Sequence, residues 1–333
     1  MPTVSVIVPF HRATPFLPIA AQSVLDQSFG DWELVAVDNG TGAGCDALGP
    51  AGRDDRVRVV SLPRNFGAAV ARNAGVAAAR GEFIALLDYD DVAWTHRFTR
   101  QVAALRADPT LDLVGSHADT IDQTGRRVGW QFTLTSPSAQ KTFSRYSMPA
   151  TAPSYTGRRA VFERHPYRPE FELAEDFDFL ARVTEHGHVA ALPEPLLSYR
   201  VHSGQGTQQF EAKQSLHAAL VRVAGARRRL KRPEQLAESR EVLRSLFEAP
   251  PSPAEIYREF ALFSLREGLP ELASYHARKW IAADPRAGTV VRALRTHWRA
   301  LVAEPRAVVF LNRLFWSGPL RAHGLRPVAA PSA

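Results

Sequence analysis

From Phe83 an apolar run, Phe-Ile-Ala-Leu-Leu, passes directly into Asp88-Tyr89-Asp90-Asp91. Three carboxylates in four positions repel one another unless something positive lies between them. They also stand where an open α/β sheet gathers its ligands, at the carboxyl end of a strand. Oxygen-rich clusters of this kind suit Mg2+ or Mn2+. Asp91 alone has a plainer use, as the N-cap of a helix beginning near Trp94. The run as a whole requires a fold that delivers a buried strand to a polar edge.

The surrounding chain supplies one. Val4 to Val8 is a continuous β-branched run closed by Pro9, the pattern of a buried parallel strand. Phe16 to Leu25 carries Leu17, Ala20, Ala21 and Val24 at helical spacing. A second strand, Glu33 to Val37, stops at Asp38-Asn39-Gly40-Thr41, and a third spans Val57 to Leu62. Gly67 to Ala79 is Ala-rich and helical, ending at Arg80-Gly81 with glycine in the position after the helix. Phe83 to Leu87 is the fourth strand. Strands alternating with helices predict an α/β fold: an open, mostly parallel central sheet with helices on both faces.

From Leu111 to His202 the pattern is mixed. A strand over Asp112–Ser116 leads into a polar Ser/Pro-rich stretch, Thr133–Pro153, expected to be a long functional or mobile loop. Helices over Arg158–Arg164 and Glu175–Glu185 follow, then a strand ending in Tyr199-Arg200-Val201-His202. Gly204–Gln209 reads as a linker, which predicts a first domain over 1–205 and an all-α C-terminal region over 206–333. Within that region, Ala261 through Gly268, Ala273 and Asp284-Pro285 resemble a tetratricopeptide-type hairpin, too little for a repeat array.

The net charge of +7 belongs to the C-terminal part, because residues 1–210 hold 20 Lys and Arg against 23 Asp and Glu, and residues 211–333 hold 21 against 11. That basicity allows peripheral contact with an anionic membrane face, although arginines on solvated helix faces are the plainer and favoured explanation. The aromatic and basic Phe310–Trp316 fits either an interfacial segment or a docked terminal helix. No basic-aromatic motif of an RNA-binding fold occurs, so no nucleic-acid partner is expected. One cysteine, Cys45, excludes an internal disulfide and a cysteine-rich metal site. Together with the lack of a membrane span or signal peptide, it predicts a cytoplasmic location, and the basic C-terminal region leaves peripheral contact with the inner membrane face open.

Two further groups carry chemistry. Ala174-Glu175-Asp176-Phe177-Asp178 opens a helix, where acidic residues complement the dipole and one carboxylate can serve as general base. Asn65-Phe66-Gly67 leads a helix whose N-terminus favours an anion, with Arg72 and Asn73 one to two turns along. His186-Gly187-His188 reads as a helix-end turn rather than zinc chemistry.

Taken in order, Val4-Ser-Val-Ile-Val-Pro-Phe-His11, Ser23-Val-Leu-Asp-Gln-Ser-Phe29, Glu33-Leu-Val-Ala-Val-Asp-Asn-Gly-Thr41, Ala71-Arg-Asn-Ala-Gly75, Gly81 through Asp91, Glu175-Asp176 and Tyr199-Arg-Val-His202 resemble the family 2 glycosyltransferases. The resemblance covers residues 3–202 and implies the GT-A nucleotide-sugar-binding fold, a nucleoside-diphosphate sugar donor (UDP-sugar foremost), Mg2+ or Mn2+ on the diphosphate, and inversion at the anomeric carbon. It places Pro9, Phe10 and His11 at the nucleotide pocket, Asp38 and Asn39 at the base, and Arg72 at the base or beside it. Tyr89 is counted with that pocket, and Asp88 approaches the ribose or the metal. Asp90 and His202 hold the metal end. Asp176 is the expected catalytic base, with Glu175 shaping the acceptor side.

Two positions depart from the family pattern. Asn39 stands where many members carry a second aspartate, and His11 where asparagine is frequent. The Gln-x-x-Arg-Trp motif of processive synthases is absent after Asp176, which predicts transfer of one sugar at a time to a glycan, lipid-linked saccharide, natural product or protein. A sugar nucleotidyltransferase is the rival enzyme, disfavoured because Pro9-Phe10-His11-Arg12-Ala13-Thr14-Pro15 lacks a glycine-rich loop. A non-catalytic scaffold with this fold would have no need of Asp88, Asp90 and Asp176 together.

Overall fold

A computed structural model describes residues 1–204, 211–248, 252–286, 289, 290, 292, 293 and 296. Contacts divide the chain into two compact units, Met1–Val221 and Arg222 onward. The first unit opens with β1 (Val4–Phe10), α1 (Phe16–Leu25), β2 (Trp32–Asn39), β3 (Val57–Leu62), α2 (Ala68–Ala78) and β4 (Phe83–Leu86). β1 lies between β2 and β4, β2 also pairs with β3, and all three ladders are parallel. Side chains alternate across β1. Val4, Val6, Val8 and Phe10 therefore share one core with Leu17, Ala20 and Val24 of α1, while Ile7 faces Ala69, Ala71 and Val76 of α2 on the other side.

Pro9 was expected to close β1, yet the strand runs on to Phe10. Backbone polar groups alternate sides along a strand, and Ile7 O accepts from Leu87 N on the β4 side. Pro9 shares that side, and with no N–H to offer Leu87 O it ends the β4 ladder, while β2 goes on pairing with Pro9 and Phe10 from the other side. The glycine at 81 serves no helix end either. α2 stops at Ala78, and a Cβ on Gly81 would stand 2.7 Å from Ser5 N, so the residue is needed where the chain crosses β1. Gly75 has a similar cause: its Cβ would lie 2.4 Å from Ile7 Cγ2, and only glycine lets α2 close onto the sheet.

After β4 come β5 (Val92–Ala93), α3 (Arg97–Ala107), β6 (Leu111–Ile121), β7 (Arg127–Gln131), α4 (Pro137–Phe143), β8 (Thr156–Arg158), α5 (Arg159–Arg164), α6 (Glu175–His186) and β9 (His188–Arg200). The sheet order is β3-β2-β1-β4-β8-β6-β9-β5, with β7 on β6. β6 and β9 are parallel, whereas β8, β5 and β7 join antiparallel. The fold is the expected α/β architecture, its purely parallel part confined to the first four strands.

The Thr133–Pro153 stretch is more ordered than its composition suggests. It contains α4, capped by the Ser136 hydroxyl, and Gln140 is buried where its amide donates to Leu134 O and its Oε1 accepts from Tyr155 Oη at 2.9 Å. His186-Gly187-His188 is the turn from α6 into β9, as expected.

The helices α7 (Glu211–Arg229), inside which the two units divide, α8 (Leu236–Glu248), α9 (Pro253–Arg266) and α10 (Pro270–Ala283) follow among the described residues. α9 and α10 form the expected hairpin. Ser252 and Glu255 build a capping box at its start, Gly268 at φ 63° makes the turn, and Ala261, Ala273 and Ala277 are buried. Of the expected linker only Gly204 is described, and Phe310–Trp316 lies outside the described residues. Among those residues no helix is long and apolar enough to cross a membrane.

Candidate active site

The C-terminal ends of β1 and β4 and the end of β9 meet at the carboxylate run. Asp88 is half-buried and its Oδ1 accepts from Arg72 Nη2 at 3.2 Å. The same guanidinium reaches Glu175 Oε1 through Nη1 at 2.5 Å, and its Cζ lies 5.5 Å from the Tyr167 ring centroid. Arg72 thus joins the first and second acidic motifs from the face of α2. Burial alone would lower its pKa, but the charges of Asp88 and Glu175 raise it above the ordinary arginine value. Asn73, next along α2, holds Tyr167 in place: Nδ2 donates to Tyr167 O at 2.7 Å and Oδ1 accepts from Tyr167 N at 2.8 Å.

Asp176 follows Glu175 in the first turn of α6. Its Oδ1 accepts from Phe177 N at 2.7 Å, and the residue keeps partial solvent access. Burial, followed by the Glu175 charge, pushes its carboxyl up to about 6, against the pull of Arg72. Leu173, three positions before Asp176, holds φ 68°, an L-residue in the left-handed region that costs about 1 kcal/mol or more.

At the other end, Asp90 Oδ2 lies 2.9 Å from His202 Nε2, both side chains nearly buried. The Phe16 ring sits 5.0 Å from His202, with the Arg200 guanidinium 4.6 Å from Phe16 on its other contact. Burial and the neighbouring Asp88 charge raise the Asp90 pKa, and the His202 contact opposes them. Asp91 is not the helix cap that its position suggested. Its Oδ1 accepts from Arg200 N at 2.9 Å, stapling β4's end to β9, and its Oδ2 is buried without a partner among the described residues. Burial and the charges of Asp90 and Asp88 raise Asp91 well above the usual carboxylate range.

Burial and mutual repulsion thus disfavour the charged forms of Asp90 and Asp91, and a divalent cation would offset both. No three His, Cys, Asp or Glu side chains among the described residues form a ready-made cage. Asp90 and His202 would be the side chains to hold such an ion, with a substrate's phosphate oxygens completing its shell. One Asp88 oxygen is already committed to Arg72.

The remaining expected residues fall into two groups. His11 is exposed and packs edge-on to Tyr89 at 5.8 Å; burial of its ring and the Arg12 charge lower its pKa. Pro9 is half-buried at the strand end. Phe10 cannot wall a pocket, because strand alternation turns its ring into the core, 1% exposed. Asp38 and Asn39 are buried and occupied with the chain itself. Asp38 Oδ1 accepts from Thr41 N and Oγ1, both at 2.7 Å, and Oδ2 from Gly44 N at 3.0 Å; these bonds outweigh burial and lower its pKa. Asn39 donates to Asn65 Oδ1 at 2.9 Å and Gly67 O at 3.2 Å and accepts from Phe66 N at 3.0 Å. It ties β2's end to the loop leading α2. Arg72 and Glu175 bond to one another, and Glu175 Oε2 takes no hydrogen bond among the described residues.

Arg12 was not singled out in the sequence. Its Nη2 donates to Tyr89 Oη at 2.9 Å and also to Gly204 O, linking β1's end to the turn after His202. The available signal was its position immediately after His11. Arg200, overlooked inside the Tyr-Arg-Val-His motif, donates from Nε to Asp90 O at 2.8 Å.

Known proteins are similar to this chain. A Bacillus subtilis glycosyltransferase named for teichuronic acid biosynthesis, TuaG, is 44% identical over 92 residues, 27% of this chain and 36% of that one. The succinoglycan biosynthesis protein ExoO of Rhizobium meliloti is 28% identical over 224 residues, 62% of each chain. An uncharacterized protein of Sinorhizobium fredii, y4gI, is 29% identical over 230 residues, and this chain spans only 24% of its length. The crystal structure of S. aureus TarS 1-349 in complex with UDP-GlcNAc shares the fold, with a TM-score of 0.57 at 16% identity over 89% of each chain. The family description "Glycosyl transferase family 2" matches residues 5–168, and through that segment this chain belongs to glycosyl transferase family 2.

Proposed function

We propose that this protein is a metal-assisted, inverting glycosyltransferase that moves one sugar at a time from a UDP-sugar to a hydroxyl-bearing acceptor. The observation that carries this is the Arg72 bridge between Asp88 and Glu175, which sets Asp176 within electrostatic reach of the strand-end carboxylates. S. aureus TarS, which shares the fold, has been crystallised with UDP and with UDP-GlcNAc, and this supports a uridine nucleotide donor. The polysaccharide-biosynthesis names of the relatives favour a glycan or lipid-linked saccharide as acceptor.

A sugar hydroxyl is a weak nucleophile, so its proton must leave as the new bond forms. Asp176 is suited to take it: at neutral pH a carboxyl with a pKa of about 6 is largely ionised yet basic enough to accept. The acceptor oxygen forms its bond to the anomeric carbon from the face opposite the diphosphate. The carbon–oxygen bond to the diphosphate breaks, its electron pair leaves with the nucleotide, and the configuration inverts. Asp90 and His202 would hold Mg2+ or Mn2+, which when bound offsets the charge on the departing diphosphate. Arg72 positions Glu175 and Asp88, and His11 and Tyr89 border the nucleotide. These roles belong to residues 1–205, leaving the helical region over 206–333 for acceptor or membrane-surface contact.

Donor hydrolysis over a panel of nucleoside-diphosphate sugars, with Mn2+ or Mg2+ and with chelator, tests this without an identified acceptor. One donor should be consumed in a metal-dependent way, and Asp176→Asn should still bind it without turnover. Undiminished sugar transfer by Asp176→Asn would remove the base from the mechanism.

A further inference from the structure

Apart from Met1, the most exposed large apolar side chains among the described residues are Phe132 at 65%, Trp130 at 60% and Val128 at 56%. All three lie on or next to β7. Asp119 pairs with Trp130 in register, and the ring of His117, two positions back on β6, lies 4.8 Å from Phe132 and 6.2 Å from Trp130. Trp130 and Phe132 are themselves 6.0 Å apart and nearly perpendicular. Their burial would favour folding, so leaving them in water needs a cause, and contiguous exposed apolar surface marks interaction sites.

The rim is polar and fixed. Arg127 Nε donates to Asp119 Oδ1 at 2.8 Å. Thr133 N donates to His117 Nδ1 at 3.2 Å, which leaves the proton of the neutral ring on Nε2. The hairpin is also joined to the carboxylate run: Arg200 Nη1 donates to Asp122 O at 3.0 Å in the β6–β7 turn, while its Nε donates to Asp90 O.

We propose that the β6–β7 hairpin binds a sugar ring of the acceptor, stacking it on Trp130 and Phe132 with hydroxyls bonded to the Asp119–Arg127 pair and His117. A pyranose presents an apolar C–H face beside an edge of hydroxyls, and this surface offers aromatic faces beside a charged rim. The ion pair and imidazole beside the rings give partners to a sugar's hydroxyls that a lipid tail would leave unused. The inference rests on the glycosyltransferase reading above and makes the acceptor a saccharide.

The test uses the full chain on an array of defined oligosaccharides, comparing wild type with Trp130→Ser/Phe132→Ser and Trp130→Phe. Binding should fall at least about tenfold in the double variant and stay within about threefold in Trp130→Phe, which keeps a ring. The thermal shift given by UDP should not change in either. The platform is overturned if the double variant binds the array as wild type does, or if wild type retains no oligosaccharide. It is also overturned if the double variant only changes the sedimentation coefficient, which would assign the patch to a second copy. Array binding that depends on both rings, in a protein that consumes no donor, would instead overturn the transferase reading and leave the platform standing.

Discussion

Arg72 Nη1 and Glu175 Oε1 stand 2.5 Å apart although 103 positions separate them in the chain, and the other arm of the same guanidinium reaches Asp88. A nearly buried arginine between two carboxylates fixes the distance between α2, α6 and the end of β4. Replacing Arg72 by Met keeps most of the volume but leaves Glu175 buried and unpaired, a change that costs about 3–5 kcal/mol when one partner of a buried pair is lost. Urea unfolding should register that loss in Arg72→Met. Glu175→Gln should cost less, because a neutral amide can still accept from Arg72.

Asp176 sets the acid limb of the rate. A base acts in its ionised form, so kcat/KM should fall about tenfold per pH unit below a pKa near 6 and level off above it. Asp176→Asn should reduce turnover by about 10²- to 10⁴-fold and abolish that limb. Stability carries the opposite sign. The carboxyl is raised on folding, so its contribution is full below the unfolded carboxylate pKa and is lost as pH rises through about 6. pH–rate profiles and denaturant titrations of the two proteins, run side by side, check both signs.

Asn39→Asp restores the acidic residue frequent in the family but removes the donor that serves Asn65 Oδ1 and Gly67 O. A carboxylate facing two acceptor oxygens should destabilise the protein by about 1–3 kcal/mol. It should also raise KM for the donor, since the loop leading α2 loses its tie to β2. A lowered midpoint in urea with an unchanged slope is the expected signature.

Asp90→Asn should separate metal binding from nucleotide binding. Wild type with UDP should gain thermal stability when Mn2+ is added and lose that increment with chelator. The variant should keep the shift from UDP and show no increment from the metal. An increment of wild-type size in Asp90→Asn would exclude Asp90 as a ligand.

Gly75→Ala tests why the Ala-Arg-Asn-Ala-Gly motif ends as it does. The added methyl would meet Ile7 Cγ2 at 2.4 Å and Val37 Cγ2 at 3.1 Å, and overpacking of this kind costs about 1–3 kcal/mol. Because α2 carries Arg72 into the site, turnover should drop along with the melting temperature. Gly42→Ala, with open space around its Cβ, gives the comparison for left-handed backbone strain alone.

Much of this was legible in the amino-acid sequence, for a physical reason. A strand buried on both faces must be a β-branched run, and an amphipathic helix must repeat its apolar residues, so β1, α1, β3 and α6 could be bounded to within two residues from local pattern. Carboxylates crowded at a strand end draw attention because their repulsion has no local remedy, which singles out Asp88 and Asp90, whereas Asp176 opens a helix and is marked by the family resemblance. The short β5 and β8 carry too few residues for a period, and the polar composition of Thr133–Pro153 hid α4 behind a buried Gln140.

What only the tertiary structure decided is which partner each polar group takes. Asp91 resembled a helix cap and proved to bind β9, and Asn39 resembled a base contact and proved to brace a loop. Arg72, expected beside the nucleotide, also joins two carboxylates. Hydrophobic pattern is a property of neighbouring residues and survives in one dimension. Hydrogen bonds and ion pairs are made across long separations, such as the 112 positions between Asp90 and His202, and their partners exist only once the sheet has assembled.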